Sequence, residues 1–187
     1  MSTVGVLALQ GDFREHLAVV RRLGHVGREV RLPEDLEGID ALIIPGGEST
    51  TIGKLATRFG MIEPLRELIE ADLPTYGTCA GLIFCSSAVT RGDQPLLGVL
   101  DIVVERNAFG RQNESFETDL EIEGLTEPFH GVFIRAPWVE KVGGEVEVLA
   151  SVDDHPVMVR QGRIIGTSFH PELTGDDRIH QMLIDLI

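Results

Sequence analysis

The sequence predicts an α/β fold with a mostly parallel central sheet and an antiparallel extension. Two observations carry this. In the first half, short apolar runs alternate with helical patterns, the order produced by crossovers between parallel strands. In the second half, short strand-like runs follow one another with Gly and Pro between them. The chain has 187 residues, 43% hydrophobic and 25% charged, a composition that buries a core rather than staying disordered. That length suits one domain, expected over residues 1–187.

Residues 4–9 are apolar apart from Gly5 and read as a strand buried on both faces. Asp12 and Glu15 are spaced as an N-cap and its reciprocal partner. Leu17, Val20 and Leu23 follow at helical spacing, and Gly24 stops the helix. Ala41–Ile44 is a second buried strand, closed by the turn Pro45-Gly46-Gly47. Helices are predicted over 50–59 and 64–71. A strand over 74–77 runs into Thr78-Cys79-Ala80-Gly81, and an apolar helix is expected over 82–89. Later strand candidates are 97–104, 116–122, 131–135, 147–152, 157–160 and 164–169. Gly143-Gly144 reads as a surface turn. Ile179, Met182, Leu183 and Leu186 recur at i, i+3, i+4 and i+7, a last helix with Asp176 and Asp177 at its start.

The net charge of −14 argues against binding a phosphate backbone, which needs clustered Lys and Arg. No apolar run approaches the ~18 residues of a membrane span, and no secretion signal is evident. The two cysteines, Cys79 and Cys85, lie six positions apart, too far for a disulfide on one helix. Without a C-x-x-C pair a structural zinc site is not expected. A reducing compartment, the cytoplasm, fits this usage.

Gly77-Thr78-Cys79-Ala80-Gly81 falls where a strand should meet a helix, and G-x-C-x-G there is the thiol form of a nucleophile elbow. A sharp turn exposes the side-chain tip. The following helix aims free N–H groups at the sulfur and favours thiolate, the reactive form. The Ala80 N–H would face an oxyanion. The competing reading is a structural cysteine in a Gly-rich turn. Cys85, among Leu82, Ile83 and Phe84, reads as core.

A thiol nucleophile needs a histidine, and the histidine an orienting group. His170-Pro171-Glu172 follows the strand-like run 164–169, so His170 falls at a strand end. In extended backbone, i and i+2 point the same way, which would set imidazole and carboxylate side by side. His16, His25, His130, His155 and His180 have no comparable context and read as solvated or locally bonded residues.

The elbow cysteine and H-P-E together resemble class I, triad-type glutamine amidotransferases. Leu7-Ala8-Leu9-Gln10-Gly11-Asp12, Pro45-Gly46-Gly47-Glu48-Ser49-Thr50, Glu105-Arg106-Asn107-Ala108-Phe109-Gly110 and Phe133-Ile134-Arg135-Ala136-Pro137 are similar to the glutaminase subunit of pyridoxal 5′-phosphate synthase. The resemblance implies a three-layer, flavodoxin-like sandwich that hydrolyses L-glutamine without metal or cofactor. Cys79 would be nucleophile, His170 general base and acid, and Glu172 its orienter. Gly47 and Ala80 would form the oxyanion hole. Gly47, Glu48, Ser49, Arg106, Ile134 and Arg135 would bind substrate, and Gln10 would sense the partner. That partner would be a (β/α)₈-barrel synthase subunit receiving ammonia, with no nucleic acid and no membrane involved. From the residues alone, Gly46-Gly47 could be an ordinary turn, Glu48 a helix-start acid, and Arg106 or Arg135 a solvated charge. Three rival readings share parts of this pattern: an ammonia donor for histidine or nucleotide synthesis, a cysteine peptidase or thiol stress protein, and a binding module without chemistry.

Overall fold

A computed structural model describes residues 1–108 and 115–187. Seven strands form the main sheet: β1 (Thr3–Leu7), β2 (Val26–Val30), β3 (Ala41–Ile44), β4 (Thr75–Thr78), β10 (Glu147–Val152), β11 (His155–Gln161) and β12 (Ile164–Thr167). Their order is β10-β11-β12-β4-β3-β1-β2. The five strands from β12 to β2 pair in parallel, while β10 and β11 form the expected antiparallel extension.

Alternation along the strands builds two cores. Leu42 and Ile44 face one side with α2 (Ser49–Arg58), α3 (Ile62–Glu70) and α4 (Ala80–Cys85). Ala41 and Ile43 face the other with α1 (Phe13–Arg22) and α5 (Arg178–Ile184). Successive strand residues point to opposite faces, so a run apolar on both sides needs a helical layer on each. The result is the three-layer arrangement expected. A small sheet, β5 (Ser86–Val89), β6 (Leu100–Glu105) and β9 (Trp138–Val142), adds to the first core. The ribbon β7 (Ser115–Leu120) with β8 (Phe129–Ile134) adds to the second.

Three expectations change. The helix predicted over 82–89 ends at Cys85, and Ser86–Val89 is strand β5. The carbonyls of Phe84 and Cys85 accept from the Leu97 and Val99 N–H groups (2.7 and 3.0 Å), so the incoming segment takes the acceptors that end the helix. Two further strands lie outside the predicted set. β2 is an edge strand whose Val-Gly-Arg-Glu-Val sequence is mostly solvent-facing, and β9 is largely exposed. Asp12 stands at the N-cap of α1 but makes no side-chain cap bond, which frees its carboxyl for another role. Gly143-Gly144 opens a surface turn, as expected, with the Gly143 N–H bonded to the Asp101 carbonyl at 2.8 Å.

Candidate active site

The strand order reverses between β1 and β3, and the loops at the C-terminal ends of β1, β3, β4 and β12 gather there. Open parallel sheets offer a crevice at such a point, because neighbouring connections leave toward opposite faces. The crevice is a cavity of about 400 Å³, within the range of small-ligand sites. Among its lining residues are Gln10 after β1; Gly47, Glu48 and Ser49 after β3; Cys79 and Ala80 after β4; and His170 after β12. Arg106, Ile134 and Arg135 close it from the smaller sheets. Every residue the sequence nominated is therefore in this one place except Glu172, which lies buried behind His170.

Cys79 leaves β4 with φ +50° and ψ −101°, a left-handed conformation costly for a residue with a Cβ. Two contacts hold it. Its N–H bonds the Thr167 carbonyl at 2.7 Å, and the Thr78 hydroxyl bonds the Phe169 carbonyl at 2.9 Å. The residues just before the cysteine and just before the histidine are thus tied directly, through the parallel register of Thr78 with Thr167. The flanking glycines act differently from one another. A Cβ on Gly77 would lie 2.8 Å from the Gly81 carbonyl, across the turn. A Cβ on Gly81 would lie 2.0 Å from the Ile44 carbonyl, so this glycine serves the packing of the elbow on β3. Asn107 (φ +50°) and Arg135 (φ +43°) also line the cavity, so three left-handed non-glycine residues meet at one site.

His170 Nδ1 lies 2.7 Å from Glu172 Oε1, and the other side of the ring faces the Cys79 thiol. The juxtaposition arises differently from the extended geometry expected. Pro171–Leu173 is a 3₁₀ turn with Pro171 in its first turn, and this turn folds the carboxylate back onto the imidazole. Burial opposes a charge on His170, but hydrogen bonds with Cys79 and Glu172 and their negative charge raise its pKa to about 10. The imidazolium form of His170 is therefore favoured on the side of the cavity where Cys79 stands. Gly46 gives the ring its place, since a Cβ there would lie 2.6 Å from His170 Cε1. Asp12 Oδ2 approaches the same Nδ1 at 3.8 Å, and burial pushes the Asp12 carboxyl up despite the pull of His170. Asp12, His170 and Glu172 are the one cluster of metal-ligand type among the described residues. His170 Nδ1, the atom it would offer, is already committed to Glu172.

The far end of the cavity is polar and more open. Glu48 caps α2, accepting from the N–H groups of Thr50 and Thr51 at 3.1 and 2.8 Å. Burial works against its charge, but the Thr51 and Thr50 hydrogen bonds outweigh it and hold the carboxyl low. It also pairs with Arg106 at 3.1 Å. Helix-start acid and cavity residue thus describe the same side chain. The Glu48 N–H bonds Gln10 Oε1 at 2.8 Å, clasping the loops after β1 and β3. Gln94 is a residue the sequence did not signal. Its Oε1 accepts from Ser49, Thr50 and Arg106 at 3.2, 3.2 and 3.0 Å. The stretch predicted over 105–110 contributes Arg106 and Asn107, while Phe109 and Gly110 lie outside the described residues.

His16 and His180, read as solvated or locally bonded, are instead 0% and 1% exposed and stand behind Glu172. A signal was present. Each sits on the apolar stripe of its helix, His16 with Leu17 and Val20, His180 with Ile179 and Leu183. A histidine on an inward stripe must find a polar partner in the core.

A model of the SNO glutamine amidotransferase family matches residues 6–187. A "Pyridoxal 5′-phosphate synthase subunit PdxT" of Thermus thermophilus is 59% identical over 185 residues, covering 98% of this chain and 96% of its own. One from Streptomyces avermitilis is 56% identical over 187 residues, covering 98% and 93%. A crystal structure of a glutamine amidotransferase superposes with a TM-score of 0.94 at 57% identity, covering 98% of this chain and 97% of that one. PurLQS from Thermotoga maritima shares the fold at a TM-score of 0.73 and 16% identity, covering 99% of each. This chain belongs to the SNO glutamine amidotransferase family.

Proposed function

We propose that this chain is the glutaminase subunit of a pyridoxal 5′-phosphate synthase, working through a Cys79–His170–Glu172 triad. The observation that carries the reading is the convergence of an elbow thiol and a carboxylate-bonded imidazole on one cavity. Cys79 thiolate attacks the side-chain amide carbon of L-glutamine. The oxyanion is held by the N–H groups of Gly47 and Ala80, each such donor being worth about 10²–10³ in rate. As the C–N bond breaks, His170 passes its proton to the departing ammonia, leaving a γ-glutamyl thioester. Water, deprotonated by His170, adds to the thioester; the C–S bond breaks and glutamate leaves. Glu172 keeps the ring oriented throughout. This acid–base and nucleophilic route needs no metal or redox cofactor.

Substrate recognition falls to the polar end. Arg106 and Arg135 offer forks to the α-carboxylate and Glu48 an acceptor to the α-ammonium, with Ser49 and Ile134 shaping the pocket. Gln10, bonded to the loop that bears Gly47, is the natural sensor of a docked partner. Ammonia is lost once it reaches water, so the chain works with a (β/α)₈ synthase subunit that takes ammonia directly. It acts as one domain over 1–187, in the cytoplasm. No helix among the described residues is long and apolar enough to cross a membrane.

Replacing Cys79 by Ala is expected to remove glutamate release by about 10³-fold or more while the chain stays folded. Full turnover by that variant sinks the triad. A donor to another pathway shares the chemistry. The relatives' names favour the pyridoxal phosphate synthase, and copurification with a different synthase would overturn that part.

A further inference from the structure

The triad ends, on this reading, at Glu172, yet the polar chain in the structure does not. His170 Nδ1 engages Glu172 Oε1 at 2.7 Å. The second oxygen, Oε2, faces His16 Nε2 at 3.6 Å, and neither atom has a hydrogen-bond partner among the described residues. His16 Nδ1 in turn lies 2.8 Å from His180 Nε2. The three groups come from α1, the 3₁₀ turn after β12, and α5, and all are buried.

We propose that His16 and His180 are positioning residues that hold the Glu172 carboxylate oriented from behind, as a relay of two imidazoles. The inference rests on the triad reading above. Its direction follows from valence. A carboxylate only accepts, so His16 Nε2 must carry the proton. Neutral His16 then has its lone pair on Nδ1, so His180 must donate from Nε2. One pair of tautomers satisfies both contacts with no added charge.

The surroundings keep both rings neutral. Burial, with the nearby His180 and His170, drives His16 well below 6.5. Burial takes His180 to about 4, with Asp177 opposing and Arg22 assisting. From β4, Tyr76 stands edge-on to both rings, at 6.1 Å from His16 and 5.7 Å from His180. Its phenol bonds Thr167 Oγ1 at 2.8 Å, and burial keeps it un-ionised. The other titratable groups facing the relay are His170, with Cys79 and Asp12 beyond it. A leucine pair would fill this space without burying polar atoms. Two separate helices instead place histidines at inward positions, His180 against His16 and His16 toward the carboxylate oxygen.

Losing the His16 contact leaves the Glu172 carboxylate free to turn, so its bond to His170 Nδ1 weakens. His170 then holds its proton less firmly, and the thiolate form of Cys79 needs a higher pH. The test is the pH dependence of Cys79 alkylation by iodoacetamide on the full chain, with glutaminase rates measured alongside in the presence of the synthase subunit. Wild type should show an acid limb well below that of an ordinary thiol. His16→Leu should move that limb up by about one pH unit and lower kcat about tenfold with little change in KM. His16→Gln, which keeps an N–H near the Nε2 position, should restore most of both. His180→Leu should give a smaller shift of the same sign, and it supplies the comparison should His16→Leu fail to fold. An acid limb unmoved in the leucine variants, or His16→Gln no better than His16→Leu, overturns the relay. A wild-type Cys79 with ordinary thiol behaviour, or glutaminase surviving in Cys79→Ala, overturns the triad reading instead.

Discussion

The two ends of helix α4 carry the chain's two cysteines, and they differ in everything but residue type and burial. Cys79 precedes the helix with φ +50°, faces the cavity and meets His170. Cys85 ends it, packed in the core with Leu82 and Phe84, and burial pushes its thiol up to about 12. They are 7% and 0% exposed, so accessibility of the residue as a whole hardly separates them. The difference lies in backbone position and neighbours. A six-residue helix has a small macrodipole, so the imidazolium partner weighs more than the helix end in setting Cys79 apart. On the proposed mechanism, reactivity is a property of the turn and of the strand register that brings β12 alongside β4.

Several changes would break or sharpen that contrast. The largest effect on the fold is expected from Gly81→Ala. Its Cβ would drive into the Ile44 carbonyl, and both are backbone-bound, so the elbow must lift off β3. We expect a loss of about 3–5 kcal/mol in urea unfolding, with both cysteines becoming reactive to a thiol probe. A near-native midpoint would show that the elbow does not depend on this approach.

Glu172→Gln should narrow the difference between the cysteines by weakening the group that charges His170. The acid limb of Cys79 alkylation should rise by about one to two pH units, more than for any His16 variant. The same change has a stability signature. His170 has a folded pKa of about 10 against 6.5 ordinarily, so its contribution is complete below pH 6.5 and is lost as pH rises toward 10. The urea midpoint of wild type should decline across that window, and that of Glu172→Gln should be flatter. Equal slopes would mean that Glu172 does not carry the His170 charge.

Smaller effects test the core end and the strain. Cys85→Ala should cost about 1–2 kcal/mol through lost packing, with glutaminase per folded molecule unchanged. Cys79→Gly should abolish turnover yet stabilise the fold by about 1 kcal/mol, because glycine adopts the elbow conformation freely. A destabilised Cys79→Gly would remove the argument from strain.

Much of this was legible in the residues, for identifiable reasons. The elbow and H-P-E are local, and each carries its own punctuation: Gly77 and Gly81 around Cys79, Pro171 beside His170. Strands β1 and β3 are buried on both faces and read as apolar runs. What was not legible depends on tertiary partners. The boundary between α4 and β5 is set by hydrogen bonds from residues 97–99, which no periodicity in 82–89 reports. β2 lies at the sheet edge and needs no apolar pattern. Gln94 sits among turn residues and gains its role only when Ser49, Thr50 and Arg106 reach it. His16 and His180 are 164 positions apart, and each alone looks like an ordinary helix residue.

The most direct test of the Cys79–His170 pairing is peptide mapping after treatment with an electrophilic analogue of L-glutamine. The account predicts one adduct per chain, on Cys79, blocked by glutamine and lost in His170→Ala, with Cys85 unmodified. An adduct on Cys85, or labelling of Cys79 that is indifferent both to glutamine and to His170, would contradict it.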